Sequence, residues 1–335
     1  MQMSTIPVST EVPVPPRLQT PRGGLSSFLQ RLRSGDEIAH LITLAFAAIT
    51  VLITVLLVYE LWIHSALPRQ RFGWRFLVTS TWDPVFENFG ALPFIFGTLV
   101  TSAVSLVLAL PLGVGAAIFL AELAPPRISQ RLAFVVELLA AVPSVILGLL
   151  GIFLLVPLLR TEVEPFLKAT LGFLPLFQGQ IYGIGLLAAS VILTIMIIPF
   201  IISISREVLL AVPVDQREAA LALGATRWEA TWRVVVPYAK TGIYGSIFLA
   251  LARALGETMA VTMVIGNDPR ISSSLFAPGY TIAAVIANEF TEATGNLYLQ
   301  SLIELGLVLF LVTIIINALA RVLIVVTTRR GTGRP

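Results

Sequence analysis

The sequence predicts an all-α protein that crosses a membrane six times. Of its 335 residues, 56% are hydrophobic and only 12% are charged, whereas a typical soluble domain is roughly 25% charged. Six apolar runs reach the roughly 20 residues that a helix needs to cross a hydrocarbon core about 30 Å thick. Because lipid offers the backbone no hydrogen-bond partner, runs of this length must be helices. The roughly ten-residue alternating segments of an outer-membrane barrel are absent.

The predicted spans begin well inside the chain. The first, residues 40–63, is too long and too late for a secretory signal peptide, so we expect it to remain as an anchor. The other five are residues 94–120, 132–158, 181–204, 242–266 and 301–326. A seventh apolar run, residues 281–290, is short, follows Pro278 and Gly279 and ends in Glu289. This favours an interfacial or re-entrant helix.

The spans divide the chain into four parts. Residues 1–36 are rich in Pro, Ser, Thr and Arg and lack apolar periodicity, which predicts a disordered cytoplasmic tail. The other parts are residues 37–93 with the first span and an outer loop, a core of five spans over 94–326, and a C-terminal tail, 327–335. Most Arg and Lys residues then lie on the side of the termini, so both termini are expected in the cytoplasm.

The composition excludes several kinds of site. The chain has no cysteine, which rules out disulfides and thiolate metal sites. Its two histidines, His40 and His64, cannot by themselves build a zinc site. A P-loop for ATP needs a Gly-Lys pair, and neither Lys168 nor Lys240 follows a glycine, so the sequence contains no P-loop. The net charge of +3 fits basic cytoplasmic loops better than a nucleic-acid surface.

The cytoplasmic loop 206–240 is far more charged than the spans around it. Asp215, followed three residues later by Glu218, is a capping-box pattern that predicts a helix start. Gly224 is the residue type that commonly stands just past a helix C-terminus. The first half of the loop is therefore expected to hold one short helix.

A second helix is predicted to follow at once. Thr226 and Glu229 repeat the capping-box spacing, and Pro237 is expected to end this helix. Two caps so close together indicate a rigid helix–turn–helix. It is either a well-made connector or a face that docks into a groove of another protein.

Two ionisable residues stand in the middle of the predicted fifth span, where charge is costly. Arg253 and Glu257 are four residues apart, and Ser246 shares their helix face. One interpretation is that the two charges neutralise each other and link the helix to a neighbour. The other is that they face a hydrated path, where Arg253 meets an anion and Glu257 positions Arg253. The planar guanidinium matches phosphate or carboxylate oxygens.

A stripe of hydroxyl groups runs along the predicted second span. Thr98, Thr101, Ser102 and Ser105 fall at positions i, i+3, i+4 and i+7. They could line an anion path, or bond to other helices or to their own carbonyl groups. In the third span, Pro143 and Ser144 are expected to break or kink the helix rather than to form a substrate site.

The cytoplasmic loop resembles the EAA loop of ABC importer permeases. The matching positions are Glu218, Ala219, Ala220, Gly224, Val234, Val236 and Pro237. The resemblance implies the type I ABC importer permease fold. It also implies that the first short helix docks on an ATP-hydrolysing subunit and transmits its closure. The coupling surface would be Glu218, Ala219, Ala220, Gly224, Ala225 and Thr226.

Residues 253–267 resemble permeases for tetrahedral oxyanions, most closely the PstC-type subunit of phosphate importers. Residues 137–157 and 287–290 are also similar to that type, while sulfate and molybdate permeases share only the Arg-Ala-Leu-Gly-Glu core. The resemblance implies a non-enzymatic subunit that moves inorganic phosphate through the cytoplasmic membrane of a prokaryote. The alternative cargo is sulfate or molybdate. The predicted substrate path is Arg253, Glu257, Ser246, Thr98 and Ser102.

The same resemblance implies the partners. They are a PstA-type permease in a heterodimer, a PstB-type ATPase dimer, a PstS-type phosphate-binding protein and the lipid bilayer. No nucleic acid, metal or cofactor is expected on this chain, and ATP with Mg²⁺ belongs to the ATPase partner.

Overall fold

The computed structural model describes residues 36–331, and helices account for most of them. The predicted disordered tail therefore lies outside the described residues apart from Asp36, as do the last four residues of the predicted C-terminal tail. The chain divides into two units, residues 1–57 and 58–335. The described part of the first unit is a stretch of a single helix.

Six helical stretches among the described residues are long and apolar enough to cross a membrane, which confirms the predicted number. They are Ala39–His64, Leu92–Leu123, Ser144–Leu171, Leu186–Leu210, Arg227–Leu255 and Asn296–Val322.

The α-helices and strands follow one another in a simple order. They are α1 (Asp36–His64), α2 (Ala66–Phe72), α3 (Arg75–Val78), β1 (Trp82–Asp83), β2 (Asn88–Phe89), α4 (Leu92–Ile118), α5 (Pro126–Ala140), α6 (Ser144–Leu150), α7 (Val156–Leu158), α8 (Glu164–Leu171), α9 (Leu186–Leu210), α10 (Val214–Ala222), α11 (Arg227–Ala230), α12 (Val236–Leu255), α13 (Met259–Val264), α14 (Ile282–Glu289) and α15 (Asn296–Gly331). Four π-helical turns join helices or extend them: Phe119–Leu123, Gly151–Leu155, Leu159–Val163 and Thr231–Val235. A short 3₁₀ turn covers Pro175–Phe177.

The third span begins later than predicted. Residues 132–158 were predicted as the span, but α5 ends at Ala140 and a new helix begins at Ser144. Pro143 disfavours helical backbone at Val142 and has no N–H to donate, which accounts for the break. The third span consequently runs over Ser144–Leu171.

All four π turns end two residues before a proline, and in three of them the helix continues through it. Pro157, Pro165 and Pro237 each occupy one of the first two positions of the helix that follows such a turn. A proline removes one helical hydrogen bond and clashes with the carbonyl group four residues earlier. The wider π turn relieves that clash, so the helix continues. The expectation that Pro237 ends a helix is therefore wrong.

Helix α9 lies at the centre of the second unit and packs along α4 and α12. Gly113 of α4 lies so close to Ile201 of α9 that a β-carbon there would clash, and Gly242 of α12 is equally close to Val208. Ala109, Ile197, Ile201, Ala250 and Ala254 form a buried cluster between the three helices. Small residues let helix backbones approach closely, which gives dense packing.

A second buried cluster connects the short elements. β1 and β2 form an antiparallel hairpin in which Trp82 pairs with Phe89. Both rings pack against that of Tyr298 in α15. The Glu289 carboxylate at the end of α14 accepts hydrogen bonds from Trp82 Nε1 at 2.8 Å and from the Tyr298 hydroxyl at 2.7 Å. The predicted short helix at residues 281–290 is thus present as α14, tied to this cluster, and is not among the six spans.

Candidate functional site

Arg253 places a half-buried cationic group in the fifth span. It lies in the last turn of α12, where the helix dipole favours a positive charge. Its guanidinium carbon is 4.5 Å from the ring centroid of Phe200 in α9, a cation–π distance. The Nε atom is buried without a hydrogen-bond partner, and no ion pair to Arg253 is formed within the described part of the chain. No pattern in the sequence indicated the contact with Phe200.

Glu257 does not share a helix with Arg253, contrary to the prediction. Helix α12 ends at Leu255, Gly256 follows with φ −98° and ψ 1°, and α13 starts only at Met259. Glycine is a poor helix former, so the helix stops at this position. Glu257 therefore lies half-buried in the break and makes no ion pair with Arg253. Non-helical backbone at membrane depth is tolerated where it is buried in protein or lines a water-filled cavity.

The hydroxyl stripe of α4 is buried throughout. Thr98 accepts a hydrogen bond from the N–H of Ile282 at 3.0 Å, so it anchors the start of α14. Thr101 and Ser105 donate to carbonyl groups of their own helix. Ser102 differs, because its buried oxygen has no hydrogen-bond partner in the structure.

Ser246 connects two helices. Its side chain is fully buried, and its oxygen lies 2.8 Å from the hydroxyl oxygen of Ser205 in α9. Across the described residues, no side-chain hydrogen bond or ion pair joins any two of the five predicted path residues. Arg253 and Ser102 are the two whose buried polar atoms remain without partners.

The turn predicted at Gly224 is present with its full hydrogen-bond pattern. The N–H of Gly224 bonds to the carbonyl oxygen of Leu221 at 2.9 Å, and that of Ala225 bonds to Ala220 at 3.2 Å. This is a Schellman motif, with Gly224 at φ +85°. The prediction of a capping box at Asp215 and Glu218 is wrong, however. Pro213 takes the cap position of α10, and Asp215 lies inside the first helical turn.

The second capping box is confirmed. The Thr226 N–H donates to the Glu229 carboxylate at 2.9 Å, and the Glu229 N–H donates to the Thr226 hydroxyl at 3.3 Å. From Arg227 the chain stays helical through α11, the π turn and α12 to Leu255. The second helix of the loop is therefore the beginning of the fifth span rather than a separate element.

The predicted coupling surface is largely exposed. Glu218, Ala219, Gly224 and Thr226 are exposed, Ala225 is half-buried, and only Ala220 is buried. Leu223 beside them is 90% exposed, although it is a large apolar residue. Leu221 and Trp228 of the same loop are also exposed, at 43% and 54%, and such a group of exposed apolar residues suits contact with another protein.

Arg217 holds this surface in place, which the sequence reasoning missed. Its guanidinium forms an ion pair with Glu122 at 2.8 Å and donates to the carbonyl oxygens of Leu209 and Val212, each at 2.7 Å. The two side chains are only 19% and 10% exposed. Arg217 thus joins α10 to the end of α9 and to the π turn after α4. The sequence offered no sign of this contact beyond the position of Arg217 next to Glu218.

Within residues 36–331, no group of three or more His, Cys, Asp or Glu side chains could hold a metal ion. The arrangement consists of the Arg253 cation, the helix break after Leu255 and the exposed capped turn at Gly224. None of these performs covalent chemistry.

Comparison with known proteins places these features in a family context. Residues 109–330 match the family model described as "Binding-protein-dependent transport system inner membrane component". The phosphate transport system permease protein PstC of Mesorhizobium japonicum is 48% identical over 90% of this chain and 93% of its own length. PstC of Pasteurella multocida is 49% identical over 76% and 80% of the two chains. PstC of Xylella fastidiosa strain 9a5c is 43% identical over 96% and 99%.

One solved structure is also similar. A chain of the MetNI methionine ABC transporter, in an inward-facing conformation, has 19% identity and a TM-score of 0.48 over 68% of this chain and 94% of its own. This overlap is too low for a comparison of individual positions.

Proposed function

The chain belongs to the family of binding-protein-dependent transport system inner membrane components, and we propose that it is the permease subunit of an ATP-driven importer of inorganic phosphate. Its relatives named as phosphate permeases are 43% to 49% identical over most of both chains. The chain is a multi-pass protein of the inner membrane with a transport role, and phosphate is the cargo that these relatives support.

The observation that carries the proposal is the half-buried guanidinium of Arg253, whose Nε atom is buried without a hydrogen-bond partner. A charge at membrane depth is costly, so we expect Arg253 to serve a ligand or a partner chain. The planar fork of arginine matches the oxygens of a tetrahedral oxyanion. We propose that Arg253 supplies a counter-charge to phosphate as it passes. Glu257 lies in the adjacent helix break, where a change in the break would alter its distance from Arg253.

The ATPase subunit would transmit its closure to this chain through the coupling surface. Its exposed turn offers Glu218 and Leu223 to a groove on the ATPase subunit, as in helix-in-groove recognition. From Arg227 to Arg253 the chain is continuously helical, a distance of about 40 Å at 1.5 Å per residue. A shift of the turn is therefore expected to move Arg253 as part of one rod.

The remaining partners follow from the proposed system. They are a PstA-type permease as the second half of the channel, a PstB-type ATPase dimer that binds ATP and Mg²⁺, and a PstS-type phosphate-binding protein outside. Both termini would then face the cytoplasm, where the coupling surface meets the ATPase.

Phosphate uptake by cells that lack their own permease tests this function. Expression of this chain with its partner subunits is expected to restore uptake of labelled phosphate. Arg253→Ala should reduce uptake at least about tenfold, because one charge-assisted contact is lost, while the complex still assembles. Arg71→Ala is the control, since Arg71 forms an exposed ion pair with Glu87.

Two results would contradict the proposal. Normal uptake by Arg253→Ala would remove the role of the guanidinium. Stronger inhibition of uptake by sulfate or molybdate than by unlabelled phosphate would assign the chain to another oxyanion.

A further inference from the structure

A pocket of about 410 Å³ lies where the first span ends, and the proposed transport function does not use it. Its lining comes from the end of α1, from α2 and α3 with the turn between them, and from α15. The residues that matter here are Trp62, Arg69, Trp74, Glu304, Leu307 and Leu311. Pockets that hold small ligands typically measure about 300 to 1,000 Å³, so this one is large enough for a headgroup or part of an acyl chain.

The polar end of the pocket is a pair of opposite charges. Arg69 Nε lies 3.6 Å from Glu304 Oε2, and the Glu304 side chain is only 10% exposed. That carboxylate oxygen is buried and has no hydrogen-bond partner among the described residues. Arg69 donates to the carbonyl oxygens of Ser65 and Trp62, which occupy two of its five N–H groups. Both charges therefore retain unused hydrogen-bonding capacity.

The rest of the pocket is apolar and has the character of a membrane interface. The Arg69 guanidinium carbon lies 3.6 Å from the centroid of the Trp62 ring. Trp74, which follows α2 in the chain, is 85% exposed. Tryptophan is enriched where a span meets the headgroup region. Leu307 and Leu311 of α15 continue the wall along the sixth span, and Leu311 is 47% exposed.

We propose that this pocket binds a phospholipid whose headgroup carries both a phosphate and a primary ammonium group, as in phosphatidylethanolamine. The free N–H groups of Arg69 would donate to the phosphate. The ammonium group would donate to Glu304 Oε2, which accepts no hydrogen bond from the described residues, and an acyl chain would lie along Leu307 and Leu311. The protein's charge pair is neutral overall and so is this headgroup. Phosphatidylcholine has no N–H to donate, and phosphatidylglycerol has no cation for Glu304.

Native mass spectrometry of the full-length chain tests the proposal. The protein, either alone or in its assembled complex, is equilibrated with equal amounts of phosphatidylethanolamine, phosphatidylcholine and phosphatidylglycerol. The number of retained molecules of each lipid is then measured. Phosphatidylethanolamine is expected to dominate. Glu304→Gln keeps the shape of the side chain and should reduce its retention about tenfold, the effect of one charge-assisted hydrogen bond. Arg69→Ala should act in the same direction, with thermal unfolding as a check that both variants fold.

Arg71→Ala is the matched control, because Arg71 is next but one to Arg69 and pairs with Glu87 outside the pocket. It should leave retention unchanged. Equal retention of the three lipids would overturn the proposal, as would unchanged retention by a folded Glu304→Gln variant. Exclusion of phosphatidylethanolamine from the assembled complex would show that a protein segment fills the pocket, which also contradicts it. None of these results depends on whether the transported anion is phosphate.

Discussion

Arg253 and Ser102 each hold a buried polar atom that no described residue hydrogen-bonds. Such atoms are uncommon in native proteins, because an unpaired buried polar group costs about 1–3 kcal/mol. The other predicted path residues do not share this property, since Thr98 and Ser246 are engaged in contacts between elements. At the scale of single residues, the substrate path is therefore best sought at Arg253 and Ser102.

Ser102→Ala should raise stability and lower transport. Removing the unsatisfied hydroxyl is expected to stabilise the folded chain by about 1 kcal/mol, since alanine needs no hydrogen bond. If the hydroxyl meets the anion during passage, phosphate uptake falls at the same time. Thermal unfolding and uptake measure the two effects. Ser105→Ala is the control, because Ser105 already donates to a carbonyl of its own helix. Lower stability of Ser102→Ala would mean that the hydroxyl has a partner.

The loop between the fourth and fifth spans combines a sharp turn with a rigid connection. Gly224 reverses the chain, Thr226 starts the next helix, and that helix continues into the fifth span without a break. Arg217 fixes the first half of the loop to the ends of two other spans. At the scale of elements, the coupling surface is thus connected to the membrane part by a helical rod and by a charged contact.

Breaking the contact between Arg217 and Glu122 should weaken coupling. Both side chains are largely buried, so Glu122→Gln is expected to cost about 1–3 kcal/mol. The ratio of phosphate transported to ATP hydrolysed should fall, because the surface can then move without α4. Arg227→Ala is the control, since Arg227 is exposed on the same loop. An unchanged ratio in a stable Glu122→Gln complex would limit the pair to a structural role.

Gly224 offers a test of the turn alone. Its φ of +85° is unfavourable for residues with a β-carbon, yet a β-carbon added there would meet open space. Gly224→Ala should therefore cost about 1 kcal/mol through backbone strain only, and Gly224→Asn should cost less because asparagine tolerates this conformation. Chemical denaturation ranks the two variants. An equal cost would indicate that the turn changes its conformation.

Residues 36–331 contain six helices suited to a bilayer, with exposed apolar side chains between some of them. The apolar turn with Leu223 follows the fourth span, and the hairpin with Phe86 lies between the first and second spans. With six spans, the proposed orientation has both termini on the same side of the membrane. The proposed orientation places Leu223 with the termini in the cytoplasm and Phe86 on the opposite side.

The absence of cysteine from the sequence makes this orientation directly testable. In spheroplasts, a membrane-impermeant maleimide should label Phe86→Cys at once. It should label Leu223→Cys only after the membrane has been opened. Both positions are well exposed, at 73% and 90%, so access to the side chain does not limit the reaction. The reverse labelling pattern would invert the topology and remove the ATPase as the partner of the coupling surface.

Features that depend on neighbours along the chain were predictable from the sequence alone. Six long apolar runs predicted six spans because hydrophobic length alone decides whether a helix can cross a bilayer. The capping box at Thr226 and the turn at Gly224 were predictable because their hydrogen bonds join residues within one helical turn. Local patterns failed where two of them competed, as at Asp215 and Pro237, and at Gly256, where the helix ends although the apolar run continues.

Which polar groups have partners is visible only in the three-dimensional structure. The bond from Ile282 to Thr98 spans 184 positions, and the bond from Arg217 to Glu122 spans 95. No local pattern encodes such a contact, because it depends on how distant helices pack. The break at Gly256 was not predicted because the apolar run continues through it, although glycine is a poor helix former. The two charges first seen as one helix face are therefore separated, and the buried Nε atom of Arg253 has no hydrogen-bond partner.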